Sequence, residues 1–251
     1  MSVSYRHTKI LELLENKKSI KINTLAEFLN VSNVTIRKDL DSLHGQGLLI
    51  KTHGSAVSIS CDLPYTGVPN ERRLHLNKVV NLAFSTIENG DCIFLGSGYT
   101  CTLLAEKIKS LDNITVVTNN INSIPILLPS KVNVFVLGGE IIENNGMIST
   151  SCYKSDEIFQ NKIVINKAYT SVVGIDIKSG LTVNYERSVK MYSTISKITD
   201  DWYLMADSDK FDKKSLYKVC DISDIKCLIS DNVPDSYKEY LKSNKVKILS
   251  D

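Results

Sequence analysis

The sequence has six cysteines, but no two of them form a CxxC pair and none stands with histidine at zinc-like spacing. Neither a zinc module nor a disulfide framework is therefore expected; the thiols read as reduced, with no metal and no cofactor. Also missing is any run approaching the roughly 18 apolar residues that span a bilayer, or an N-terminal apolar core followed by a small-residue cleavage site. A cytoplasmic protein with no membrane partner is the expectation. Charge of one sign is lacking as well: 30 Lys and Arg against 28 Asp and Glu leave +2, so no whole-molecule field would hold the chain on nucleic acid. Any basic site must be local. There is no internal repeat or low-complexity tract, and 251 residues allow one large domain or two unequal ones.

The charge is uneven. Residues 1–60 carry eight Lys and Arg against five Asp and Glu, together with His7, His44 and His53. Within them, Ile10, Leu11, Leu13 and Leu14 fall at the mixed spacings of one helical face, placing a helix near 4–16. A second helix fits 23–29 with Leu25, Ala26 and Leu29 inward and Asn23 or Thr24 as its cap, since Thr24 to Glu27 has capping-box spacing. Asn30, Val31 and Ser32 make a turn, and Ser32 suits the N-cap of a third helix running to about His44. Ile36, Leu40 and Leu43 share its buried stripe. Val34, Lys38 and Ser42 point the other way at about 100° per residue, with Thr35 and Arg37 on the flanks and Asn33 at the start. Two short helices joined by a three-residue turn, the second with donors near its N-terminus, have helix-turn-helix geometry. Strands at Leu48–Thr52 and Ser55–Ile59, around His53-Gly54, add a hairpin suited to be a wing. Double-stranded DNA is thus the expected partner: Asn33, Val34, Thr35 and Lys38 face base edges, Arg37, Lys51, Thr52 and His53 reach phosphates or the minor groove, and Ser32 at the helix start completes the DNA-binding set.

The stretch "VSNVTIRKDLDSL…GLLIKTHGSA" resembles the N-terminal signature of the DeoR-type bacterial transcription regulators over residues 5–57. The resemblance implies a winged helix-turn-helix, with Val31, Ser32, Thr35, Ile36, Arg37, Asp39, Leu40, Leu43, Gly47, His53, Gly54 and Ala56 on the family pattern. Ser55 departs from it, a second glycine being usual there.

Residues 61–75, with Pro64, Gly67 and Pro69, read as a linker between a 1–60 DNA-binding domain and a 76–251 domain. Beyond it, strand-like runs at 91–95, 114–117, 132–137, 168–173, 202–205, 227–229 and 246–249 alternate with helices near 77–88, 101–109, 120–128, 184–198 and 235–243. That alternation predicts an α/β domain with a mainly parallel sheet. Ligands in such sheets bind beyond the carboxyl ends of the strands. Six ends there carry small or polar residues: Gly96–Thr100, Thr118–Asn120, Gly138–Glu140, Gly174–Asp176, Ala206–Lys210 and Ser230–Asp231. Gly96 and Gly98 allow close approach of backbone amides, and Ser97, Thr100 and the next helix N-terminus favour an anion, a phosphate above all.

This half resembles the DeoR effector domain, which is similar in fold to ribose-5-phosphate isomerases, through "IFLGSGYT", "VVTNN", "VFVLGGE", "VGID…GLTV…E…K" and "LMADSDKF". The resemblance implies a sugar-phosphate pocket from Gly96, Ser97, Gly98, Tyr99, Thr100, Asn119, Gly138, Gly139, Asp176, Lys190, Asp207 and Lys210. Many members carry an acidic residue where Gly96 stands and a hydroxyl residue where Tyr99 stands. The functional expectation is a repressor of a sugar or polyol utilisation operon, homo-oligomeric through its larger domain and relieved by a phosphorylated sugar or polyol. Two rivals stand beside it. One is an isomerase-like enzyme with a DNA-binding appendage, its acid–base set drawn from Asp176, Glu186, Lys190 and Asp207; the other is a DNA-binding protein whose larger domain binds nothing. No catalytic residue is assigned.

Overall fold

The computed structural model describes residues 3–17, 19–45, 48–52, 54–58, 70–144, 146–151 and 164–250. They divide into two compact units, Met1–Asn77 and Lys78–Asp251.

In the first unit, α1 (Val3–Lys17), α2 (Ile22–Leu29) and α3 (Asn33–Gly45) pack with a three-stranded antiparallel sheet of order β1-β3-β2. Its strands are β1 (Ser19–Lys21), β2 (Leu49–Thr52) and β3 (Ser55–Ser58). The two hairpin strands pair from Leu49↔Ser58 to Thr52↔Ser55, as the alternating pattern predicts. Strand β1 was not anticipated. It pairs with β3 through Ile20↔Ala56 and runs straight into α2, which begins one residue earlier than expected. The expected caps fail for that reason: Asn23 and Thr24 lie inside the helix, and the N-cap is Lys21 in extended conformation. The first helical amide is instead satisfied by the wing, Ile22 N–H donating to Gly54 O at 3.0 Å. Asn30 closes α2 in the left-handed conformation (φ 50°), with Val31 N–H donating to Ala26 O at 3.0 Å. Ile10, Leu14, Leu25, Leu29, Ile36, Leu40, Leu43 and Leu49 form the core.

The second unit is built on seven parallel strands in the order β15-β14-β12-β9-β4-β5-β6. These are β4 (Cys92–Leu95), β5 (Thr115–Thr118), β6 (Asn133–Val136), β9 (Ile165–Thr170), β12 (Thr199–Met205), β14 (Cys227–Ile229) and β15 (Lys247–Leu249). Both faces are buried. Ile93, Leu95, Val116, Tyr169 and Met205 pack with α4 (Asn70–Phe84) and α5 (Tyr99–Ile108), while Phe94, Val117, Ala168, Trp202 and Leu204 pack with α7 (Glu186–Ile198) and α8 (Asp235–Ser243). Helix α4 starts at Asn70, within the span read as linker. The 120–128 helix is a 3-10 turn, Ile121–Ser123, followed by the short α6 (Ile124–Leu127).

Two antiparallel additions escaped the sequence reading. One is the hairpin of β7 (Glu140–Asn144) and β8 (Met147–Ser151). The other is a sheet of β10 (Gly174–Asp176), β11 (Gly180–Val183) and β13 (Tyr217–Cys220). Its closeness demands glycine. A Cβ on Gly180 would lie 2.2 Å from Cys220 O, and φ is +76°. Gly180→Ala is expected to lower the urea midpoint markedly, since the left-handed backbone alone costs about 1–2 kcal/mol before the clash is counted; an unchanged midpoint would refute the packing described.

Candidate functional sites

In the first unit, α3 separates two faces. Ile36, Leu40 and Leu43 are buried, whereas Ser32, Asn33, Val34, Arg37 and Lys38 are exposed and Thr35 is half-buried. Ser32 caps the helix, its Oγ accepting from Thr35 N–H at 3.1 Å and lying 2.9 Å from Thr35 Oγ1. Val34, 60% exposed, is an apolar side chain on this otherwise polar face. Lys51 on β2 is half-buried and paired with Asp41 of α3, an exchangeable pair a phosphate would compete for. Thr52 ends β2, and His53 lies outside the described residues.

Asp39 lies on the pattern of the family that the N-terminal stretch resembles, but its role was not legible in the sequence. Buried on the inner side of α3, its carboxylate accepts from Arg6 Nε at 2.8 Å and Nη2 at 3.0 Å, with His7 Nε2 at 3.3 Å. The bidentate bond and the carboxylate's charge raise the Arg6 pKa against the pull of burial. This clamp fixes α1 against the helix that carries Arg37 and Lys38. The sequence signal of Asp39 was its place on that family pattern, between Lys38 and Leu40.

In the second unit the chain reverses direction between β4 and β9: β5 and β6 lie to one side of β4, and β9, β12, β14 and β15 to the other. A crevice opens at such a switch point beyond the strand ends. Gly96–Thr100 follows β4 there. Gly98 (φ +107°) is the N-cap of α5, and its missing Cβ faces open space. Gly96 serves a different end. Its N–H donates to Tyr169 O at 2.9 Å, and a Cβ would stand 3.3 Å from that oxygen, so the loop lies close against β9 and a side chain here would need the neighbouring backbone to give by a few tenths of an ångström. Ser97 and Tyr99 are half-buried and Thr100 is buried. Cys101, also in the first turn of α5, is neutral, because burial pushes its thiol up to about 12.

On the neighbouring strand the two asparagines part company. Asn120 is the cap, its side chain accepting from Asn122 N–H at 3.1 Å and donating to Thr102 Oγ1 at 2.9 Å. Asn119 donates to Thr150 O at 3.1 Å, while its buried Oδ1 has no hydrogen-bond partner among the described residues. Gly138 and Gly139 connect β6 to β7, and the β7–β8 hairpin is strapped to the rim by Thr150 N–H donating to Asn119 O at 2.9 Å. Across the switch point, Asp207 is buried after β12 and Lys210 is half-buried, the loop between them held by Asp231 through Ser208 N–H at 2.7 Å and Oγ at 3.1 Å.

Two expected members are placed elsewhere. Strand β9 ends at Thr170, so Gly174–Asp176 is not a strand end of the large sheet but a strand of the small one. Burial works to raise the Asp176 pKa, but Ser179 and Lys214 together outweigh it and hold the carboxyl below its ordinary range. Its Oδ1 accepts from Ser179 N–H at 2.7 Å and Lys178 N–H at 3.1 Å and pairs with Lys214 at 3.3 Å. Lys190 is exposed on α7, two residues before Tyr192, whose hydroxyl donates to Ser171 O at the end of β9. Thr170 and Ser171, the residues at the switch point itself, were missed because Val172 and Val173 prolong the apolar run. Among the described residues no group of three His, Cys, Asp or Glu is placed to hold a metal, and no helix is long and apolar enough to cross a membrane.

The family model described as "DeoR-like helix-turn-helix domain" matches residues 6–61, and "DeoR C terminal sensor domain" matches residues 75–232. The chain belongs to the DeoR family. DeoR-type relatives align end to end with it. The "Lactose phosphotransferase system repressor" of Staphylococcus epidermidis is 29% identical, over 95% of this chain and 96% of that one. The "Glycerol-3-phosphate regulon repressor" of Haemophilus influenzae is 26% identical over 99% and 97%. The "Uncharacterized HTH-type transcriptional regulator FruR" of Bacillus subtilis is 26% identical over 97% of each. Among solved structures, ribose 5-phosphate isomerase A of Methanocaldococcus jannaschii matches with TM-score 0.39 and 12% identity, over 57% of this DeoR-family chain and 55% of that one.

Proposed function

We propose that the protein is a transcriptional repressor of a sugar or polyol utilisation operon, released from its operator by a phosphorylated sugar or polyol. The observation that carries the reading is the pairing, in one chain, of an exposed Asn33–Lys38 face on α3 with a switch-point rim whose α5 N-terminus opens at Gly98. Lys38, Asn33, Val34 and Thr35 read base edges; Arg37, Lys51, Thr52 and His53 hold phosphates. Ser97, Gly98, Tyr99 and Thr100 take the ligand phosphate, with Asn119 Oδ1 accepting a sugar hydroxyl and Gly138, Gly139, Asp207 and Lys210 completing the rim. Gly96 N–H and the Asp176 carboxylate are engaged within the protein, so these two and the exposed Lys190 are left outside the proposed contact set. The engagement of Asp176 also favours a sensor over an isomerase, which would need that carboxylate on a carbon-bound proton.

Fluorescence anisotropy on the gene's own promoter tests the reading. Affinity is expected to fall steeply with salt, and to fall again when a sugar phosphate from a panel is added. Arg37→Ala should weaken all sequences alike and reduce the salt slope by about 1, whereas Lys38→Ala should erode discrimination between operator and random DNA by roughly fivefold to a hundredfold. Equal binding of operator and random DNA by the wild type would overturn the assignment.

A further inference from the structure

The large sheet has two outer strands, built differently. β15 is flanked and entered by Lys245 and Lys247, the kind of charge that keeps an edge from pairing. The other, β6, has neither charge nor proline from Val132 to Gly139, VNVFVLGG, and leaves Phe135 59% and Val136 43% exposed. Asn133 and Leu137 donate their N–H groups inward, to Ile114 O at 2.9 Å and Thr118 O at 2.8 Å on the β5 side. The alternate residues Val134 and Val136 therefore turn their peptide groups away from the sheet.

We propose that this edge binds a second copy of the chain, the two β6 strands running antiparallel about a twofold axis at Phe135. Such an axis sets Val134 opposite Val136 of the partner subunit, and Val132 opposite Gly138 of the partner subunit, so the outward peptide groups meet in register along the whole uncharged run. Phe135 then faces Phe135 of the partner subunit as a non-hydrogen-bonded pair, with Cα atoms about 4.5 Å apart and the rings in cross-strand contact. Centring the axis on Val134 or Val136 would set Phe135 against Asn133 or the already buried Leu137. At the ends, Lys131, paired with Asp112 at 3.2 Å within its own subunit, arrives opposite Gly139 of the partner subunit, so no like charges meet along the paired run. A twofold pair also suits a reader of repeated half-sites, the one clause here that rests on the proposed function.

Sedimentation of the full chain, without DNA or metabolite, tests this. The wild type is expected as a dimer or a larger even assembly, Phe135→Lys at half the wild-type mass with an unchanged circular dichroism spectrum, and Phe135→Leu at the wild-type mass. Phe135→Cys should cross-link to its own copy on mild oxidation, because about 4.5 Å between Cα atoms lies within disulfide reach; Leu216→Cys, 78% exposed on another segment, should not. A monomeric wild type, full mass in Phe135→Lys, or equal cross-linking of both cysteine variants would overturn the proposal. Should Phe135→Lys misfold, the cysteine pair still decides. A chain that assembles through β6 but ignores promoter DNA would sink only the repressor reading; a monomer that binds its operator would sink only this one.

Discussion

Leu40→Ala is expected to abolish operator binding, although Leu40 touches no DNA. Its side chain is fully buried on the inner stripe of α3, between Ile36 and Leu43. Truncating a buried leucine costs about 2–5 kcal/mol through lost transfer energy and the cavity left behind. A unit of this size holds only about 3–5 kcal/mol in reserve. One substitution therefore removes most of the stability of the DNA-binding half. Urea titration followed by circular dichroism should show the helical signal of that half lost at lower denaturant, while ligand binding by the larger unit persists. Operator affinity equal to wild type would refute the account. Asp39→Asn is a companion test: it keeps the shape but removes the charge that Arg6 and His7 address, so α3 loosens and selectivity for the operator falls more than binding to random DNA.

The second large effect belongs to the rim. At 100 times its dissociation constant, the cognate sugar phosphate should add about 2.7 kcal/mol to the stability of the larger unit. It should also weaken operator binding about 5–150-fold, the usual range of allosteric coupling. Both responses should disappear in Gly98→Ala. That position needs a φ of +107°, which an L side chain adopts only with strain, so the loop shifts and the first turn of α5 no longer meets the phosphate. Operator affinity without ligand should stay as it was. A thermal shift that survives in Gly98→Ala would remove the α5 N-terminus from the ligand site.

Periodicity carried much of the fold. The stripe of Ile36, Leu40 and Leu43, the wing, the parallel sheet and the 235–243 helix were legible because each is a regular apolar pattern bounded by turn residues. What escaped depended on partners distant in sequence. Strand β1 is three residues with one apolar member and exists because β3 is there to pair with. Asp39 looked like any surface carboxylate until Arg6, 33 positions away, was brought against it. At the rim, glycines were legible as glycines, but not their separate roles: Gly96 lies close to Tyr169 O, whereas Gly98 has a φ of +107° and open space where a Cβ would be. Asn119 and Asn120 were likewise interchangeable in the sequence and are divided by Thr102 and Thr150.

The bond from Ile22 N–H to Gly54 O reaches beyond local geometry. It makes the tip of the hairpin part of the scaffold that starts α2, so reading element and support share a fate. Random mutagenesis selecting for derepressed colonies should then recover substitutions at Gly54 whose defect is heat-sensitive folding, suppressible by growth in the cold, alongside genuine contact mutants that cooling does not rescue.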